Sequence, residues 1–523
     1  MFQKLTSIIL KQEKFFFLAV LLINISFIFN AKFFPSMDGP AHLHNSYLLK
    51  QLFGGSEFVK QYYNLNHSPI PNWSLHGTLA LLLCFFSAPN AEKIIQVIYI
   101  LLMAFSFRYF IKQIQPKNLF GSILVFPFMF SFLFHLGFLN FCLSIGFMFL
   151  GVGFYLKNQQ NLRVKNRLIL GVIALLAYFS NVFGFAYLVF FLFAFSFVNH
   201  FSEGIELSRI KIAELLKKYT VLFLICLVPL IFLILFYTSV EFFPSTKDYK
   251  KEELLNWVFS LRSLIVYNFG QDQYYTQVLF LILSMSFAIS VFIFYKTEQK
   301  ITLSIKLMLL IAIGFTFIFL LKIPDGSSAG MMSDRLCLML FFVSLAAFIS
   351  FPIPRSVLIG IVFITIYINI AIYHYNHSSI IKNYSVHADK IYILSERIRE
   401  KSIVLPINLD ADWMEGHFSN YLGVNKELVI LENYEANVGW FPLKWDMEKM
   451  PKFMLGTKTN IGNIYWTTNW ESKLDKKIDY VLIYGNTSKL DQPEYAELKQ
   501  ELVNSYILDE SISDTYTKLF KIK

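Results

Sequence analysis

FFFLAVLLINISFIFNAKFF, residues 15–34, decides the class of fold. The run holds no acid, and its single cation, Lys32, stands near its end. A helix rises about 1.5 Å per residue, so 20 such residues reach ~30 Å, the thickness of a bilayer's hydrocarbon core. Lys4, Lys11 and Lys14 precede the run and no small-residue cleavage site follows it. It therefore reads as a retained first membrane helix, not a removed signal peptide.

Runs of the same kind recur near 72–88, 93–111, 119–134, 137–156, 168–180, 182–198, 219–239, 275–295, 302–322, 335–351 and 355–373. The composition agrees with lipid as the solvent. Of the 523 residues 55% are hydrophobic and 16% charged, and the mean hydropathy is +0.51. A soluble domain carries about 25% charged residues. The net charge of +10 reports cytoplasmic loops and anionic headgroups, because no basic stripe interleaved with aromatics points to a nucleic acid. Cys84, Cys142, Cys226 and Cys337 all fall in apolar runs, which excludes a disulfide framework and a cysteine metal site.

Lysines and arginines in short loops set the orientation. Lys11 and Lys14 hold the N-terminus inside, so 35–71 is predicted outside. The basic loops 157–167, 209–218 and 296–306, together with Arg355, belong inside. These choices alternate correctly, and put the tail outside, if one segment of 72–111 does not cross completely. The predicted fold is an α-helical polytopic membrane protein of about 11–13 transmembrane helices with a small C-terminal α/β soluble domain. Residues 1–379 make the membrane domain, with outer loops at 35–71 and 240–274. The second loop carries an amphipathic stretch through Leu254, Val258, Leu261 and Ile265, suited to lying along headgroups. Residues 380–523 make the α/β domain, with strands near 402–407, 427–432, 478–484 and 515–522 and helices near 387–401 and 493–504.

The segment with chemistry in it follows the first helix: FFPSMDGPAHLHNSY, residues 33–47. Pro40 suits the first turn of a helix and Asp38 or Gly39 its cap. Asp38, His42 and Asn45 or Ser46 then recur at helical spacing and share one face. A carboxylate at that place is suited to take a proton from a hydroxyl arriving from the aqueous side. The plainer reading has Asp38 as a cap and His42 solvated. His135 and Asn140 lie between two apolar runs, where they bind a sugar hydroxyl or satisfy backbone at a helix break. Arg335, at the start of a late helix, matches a phosphate in bidentate fashion or snorkels to headgroups, and Arg262 is a weaker alternative. Asp410, Asp412, Glu415 and His417 read as a solvated polar loop. No His-x-x-x-His on a firm helix supports a metal, and none is assigned.

Asp38-Gly-Pro-Ala-His42 just outside a first membrane helix resembles the Asp-x-Pro-x-His pattern of bacterial GT-C glycosyltransferases. Weaker resemblances run through His135–Asn140, the loop 326–335, Asn420-Tyr-Leu-Gly, Glu432-Asn-Tyr-Glu-Ala and Gly439-Trp-Phe-Pro442. The resemblance implies a bacterial inner-membrane enzyme that moves a sugar from a polyprenyl-phosphate donor to an extracytoplasmic lipid, glycan or protein. It implies Asp38 as the catalytic base or a metal-associated residue, and His42, Asn45, His135, Asn140, Arg262 and Arg335 stand beside it as the candidate substrate-binding residues. Its partners are then membrane lipids, the lipid-linked donor and the acceptor, with no nucleic acid, and a divalent metal stays open as cofactor. The chain departs from the pattern in lacking a pair of adjacent acids after the first helix. Two other classes stay open: a non-catalytic envelope scaffold, and a transporter of envelope precursors. The near absence of ionisable residues within the apolar runs tells against an ion-coupled carrier.

Overall fold

The structure, a computed structural model, describes residues 10–200, 209–239, 249–297, 300–321, 330–410, 412–451 and 478–523. Parts of two predicted loops, 240–248 and 322–329, lie outside the described residues. The chain divides into two compact units, Met1–Ile28 with Val97–Ser379, and Phe29–Gln96 with Ile380–Lys523.

The chain is a multi-pass membrane protein. Among the described residues eight helices are long and apolar enough to cross a membrane. The helix Phe269–Lys296 makes the physical case: its mean hydropathy is 2.5, yet only 17% of the apolar window is buried inside the protein. Leu281, Met285 and Phe292 point outward from it, which is costly in water and favourable in hydrocarbon. Two further helices, Glu13–Ile28 and Val164–Ser180, have 16 and 17 residues and fall just short of a full span. The helix Trp73–Leu82 has only 10 residues. At about 15 Å it is too short to cross a core ~30 Å thick.

Two apolar stretches depart from the expected continuous helix. Residues 119–134 break into a 3₁₀ segment Pro116–Val125 and two short helices, Phe126–Met129 and Phe132–His135. Pro127 has no N–H to give, and Ser131 starts a new turn by accepting from the Phe134 N–H. The amphipathic stretch also ends early. The helix Lys251–Phe259 stops before Leu261, whose φ of +48° cannot continue a right-handed helix.

In the second unit the sheet is mixed. Strands β1 (Tyr63–Leu65) and β4 (Leu443–Trp445) pair antiparallel, Tyr63 opposite Trp445. The main sheet has the order β3-β2-β5-β7-β6, with β2 Ser402–Asn408, β3 Leu428–Ile430, β5 Tyr480–Tyr484, β6 Tyr506–Leu508 and β7 Thr517–Ile522. β2 lies parallel to β3 and to β5, while β7 runs antiparallel to both its neighbours. β2 and β5 are buried along their whole length, so they read SIVLPIN and YVLIY with little apolar–polar alternation. The helix expected at 387–401 begins earlier, as Ser378–Leu394, and ends in a 3₁₀ turn.

The core of this unit draws on both of its segments. Leu48, Leu49, Val59 and Tyr63 pack in one cluster with Ile403, Leu405, Val481 and Ile483. The segment after the first membrane helix is thus part of the α/β unit's own core, tied to it by the β1–β4 ladder.

A candidate site around Asp38

The helix Gly39–Phe53 begins where the sequence predicts, with Pro40 in its first turn. Asp38 occupies the cap position but makes no side-chain capping bond, so its carboxylate is free for other work. It is buried, at 6% exposure, among side chains from the tail. His417 Nε2 stands 3.5 Å from Asp38 Oδ1, and the Tyr434 hydroxyl donates to the same carboxylate. The His417 ring stacks on Tyr434 with centroids 4.5 Å apart. On its far side His417 Nδ1 pairs with Glu432 Oε1. Glu432 Oε2 also accepts from the Ser419 hydroxyl at 3.0 Å and from Asn420 Nδ2 at 2.5 Å. The result is a carboxylate–imidazole–carboxylate line, Glu432–His417–Asp38, whose outer acid is pinned by three donors.

Burial pushes the Asp38 carboxyl above its ordinary range, and His417 and His42 pull it back down. Burial alone would lower His417, but Glu432 and then Asp38 outweigh it and raise the imidazole to about 9. An imidazole raised in the fold stabilises the protein below its unfolded value of 6.5 and loses that contribution as pH rises through about 9. The melting temperature of the detergent-solubilised chain is therefore expected to fall between about pH 7 and pH 10. That slope should flatten in His417→Gln; an equal slope in both proteins places the titration elsewhere.

His417 and Glu415 do not lie on a solvated loop, as the sequence suggests. Both are buried, and Glu415 Oε2 accepts from the Tyr516 hydroxyl at 2.6 Å while Oε1 faces His387 Nδ1 at 2.5 Å. The reading failed because the turn after β2 folds back over the sheet instead of facing water.

Next to Asp38, His42 Nδ1 faces Glu435 Oε1, and His76 Nε2 lies 2.8 Å from Glu435 Oε2. All three residues are buried, and these ligand-type atoms lie within 4.8 Å of one another. Burial would raise Glu435, but His42 and His76 hold its carboxyl down at about 2. Among the described residues this is the one His/Cys/Asp/Glu group with metal-binding spacing. His42 is accordingly buried and engaged, not solvated.

Asn45 exchanges two hydrogen bonds with Asn433, 2.8 Å from its Nδ2 and 2.9 Å to its Oδ1. That reciprocal pair occupies its amide in joining the helix to the tail. His44 Nδ1 meets Asn420 Oδ1 at 3.0 Å, and burial takes the His44 imidazole down to about 4. A side chain on Gly423 would collide with the His44 ring, which accounts for a glycine there.

Asp38, His42 and Asn45 thus share the second unit, whereas His135, Asn140, Arg262 and Arg335 belong to the first. There Arg335 lies over three rings, 4.9 Å from Phe138, 5.4 Å from Phe141 and 5.3 Å from Phe183. Arg262 lies 4.5 Å over Phe132 and donates to the Ile265 carbonyl at 2.8 Å. Asn140 is buried in the first turn of the helix Leu139–Asn158. His135 Nδ1 bonds the Tyr267 hydroxyl at 2.8 Å. Beside that pair His377 Nε2 contacts Asp272 Oδ1 at 2.9 Å, and Asp272 Oδ2 accepts from the backbone N–H groups of Val266, Tyr267 and Asn268.

Sequence reasoning missed His76, Glu432, Tyr434 and Glu435 as site residues. The phrase Glu432-Asn-Tyr-Glu435 did carry a signal, two acids three residues apart, but nothing local pairs them with His76 or His417.

No family model and no curated protein match this chain. The fold does match a crystal structure of ArnT from Cupriavidus metallidurans bound to undecaprenyl phosphate. The TM-score is 0.51 at 10% identity, over 97% of each chain. The chain shares that fold, many membrane helices with a sheet-containing C-terminal region.

Proposed function

We propose that this protein transfers a sugar from a polyprenyl-phosphate donor to a hydroxyl-bearing acceptor on the extracytoplasmic face of a bacterial inner membrane. The observation that carries the reading is the buried Glu432–His417–Asp38 line, within a fold shared end to end with an enzyme crystallised with undecaprenyl phosphate.

In this reading Asp38 takes the proton of the acceptor hydroxyl as that oxygen attacks the anomeric carbon. The bond from that carbon to the phosphate oxygen breaks, and its electron pair leaves on the polyprenyl phosphate. Burial favours Asp38 as a base, because a raised carboxyl accepts a proton more readily than one in water. His417, held by Glu432, offsets the burial enough to keep the carboxylate usable and fixes its direction.

Arg335 and Arg262, both of the first unit, are proposed on their own geometry as groups for a lipid-borne phosphate. A guanidinium lying over phenyl rings presents its planar fork in a fixed place, which lowers the cost of forming a bidentate phosphate contact. An apolar cavity of about 520 Å³ in the first unit, lined by Phe128, Phe280, Phe287, Leu309, Leu340 and Phe348 among others, suits an isoprenoid chain.

The test is transfer from a synthetic polyprenyl-phosphate sugar to lipid and glycan acceptors in detergent, followed by mass spectrometry. Arg335→Lys keeps the charge and loses the planar fork, so the donor KM should rise about tenfold, ~1.4 kcal/mol, with a smaller change in kcat. An unchanged KM removes Arg335 from the donor site. Absence of transfer, with no donor-induced rise in melting temperature, removes the function.

A further inference from the structure

Glu435 stands outside the Glu432–His417–Asp38 line and has its own pair of imidazole contacts. His76 Nδ1 lies 3.0 Å from the Asn72 carbonyl oxygen. A carbonyl only accepts, so Nδ1 carries the proton, and in the neutral ring Nε2 presents a lone pair. That lone pair points at Glu435 Oε2, itself an acceptor, 2.8 Å away. Two acceptors in such contact need a proton or a metal ion between them. The other oxygen of the same carboxylate meets His42 Nδ1.

We propose that His42, His76 and Glu435 bind one first-row divalent cation of the zinc class. Two imidazoles and a carboxylate are a set that zinc, cobalt and nickel accept, while magnesium and calcium prefer oxygen alone. The three ligand atoms already lie within 4.8 Å of one another, and all three side chains are buried. At metal–ligand distances near 2.05 Å, tetrahedral ligands stand about 3.3 Å apart, so the His76 Nε2–Glu435 Oε2 pair at 2.8 Å opens by about half an ångström and the shorter His42–Glu435 contact by more.

The support behind the ligands is also of the kind metal sites use. The Asn72 carbonyl fixes the His76 tautomer and ring direction, as outer hydrogen bonds do for metal-bound histidines. Asn72 is itself in the left-handed region, φ +68°, and its side-chain amide donates to the Trp440 carbonyl at 3.2 Å. His42 comes from the helix Gly39–Phe53, His76 from the helix Trp73–Leu82 and Glu435 from the turn Tyr434–Asn437. One ion would therefore clamp three elements that are far apart in sequence. The role assigned is structural and does not depend on the transfer reaction.

The experiment uses the full chain in detergent, purified without a histidine tag, stripped with a chelator and reloaded with Zn²⁺. Elemental analysis should find about one equivalent in the wild type and less than about 0.2 in Glu435→Gln. Reloading should raise the wild-type melting temperature by about 5 °C or more. Co²⁺ loading of the wild type should give the visible bands of a four-coordinate site, which keeps the test valid if the variant folds poorly. A wild type that retains no Zn²⁺ after reloading, with no change in melting temperature, overturns the proposal and leaves His76 and Glu435 as a hydrogen-bonded pair. Transfer activity enters neither result.

Discussion

Asp38→Asn is expected to leave the protein folded and to lower transfer by about 10²- to 10⁴-fold, the usual worth of a positioned base. The change is close to isosteric, and the amide oxygen can still accept from the Tyr434 hydroxyl. It removes a carboxylate whose burial is costly, so stability should hold or rise slightly. What the amide cannot do is take a proton from the attacking hydroxyl. The measurement is kcat and donor KM with a defined lipid-linked sugar, alongside a melting curve. A loss confined to kcat fits a group acting in the transition state. A variant with wild-type kcat excludes Asp38 as the base, whatever the fold suggests.

Glu432→Leu should cause the largest loss of stability. Glu432 is buried and accepts from His417, Ser419 and Asn420 together. Leucine leaves those donors without an acceptor and strips the imidazole of its main counter-charge. Breaking one partner of a buried, hydrogen-bonded charge pair costs about 3–5 kcal/mol. For a unit of this size that is a fall of ~10 °C in melting temperature. Leucine at exposed Glu494 is the control and should shift the midpoint by about 1–2 °C at most. Equal shifts for the two variants would show that Glu432 bears no special load.

Much of the architecture is legible from residue order. The first apolar helix announces itself as a run with a single cation near its end, and the next helix by Asp38, Gly39 and Pro40. β2, β3, β5 and β7 fall within or beside the expected stretches: the first three carry short apolar runs, and β7 reads TKLFKI, apolar and polar residues mixed. β1, β4 and β6, three residues each, were not expected, because none lies in an aliphatic run like the 428–431 stretch that marks the equally short β3. Pro127 and Leu261 mark where tertiary packing interrupts runs that hydropathy alone reads as continuous.

The site divides in the same way. Asp38 and His42 stand four residues apart on one helix, and helical period was enough to join them. Their partners were not accessible to that reasoning. His76 meets Glu435 across 359 residues, and Asn45 meets Asn433 across 388.

Residue order alone therefore determined the lipid-facing class, the tail's strand-rich character and the acid after the first helix. Each follows from hydropathy or spacing within a few turns of chain. Only the tertiary structure decided that residues 29–96 share a core with residues 380–523, that Asp38 is buried against His417, and that two histidines converge on Glu435. Those facts depend on chain closure, in which burying apolar surface such as Leu48 against Ile403 brings distant polar groups together.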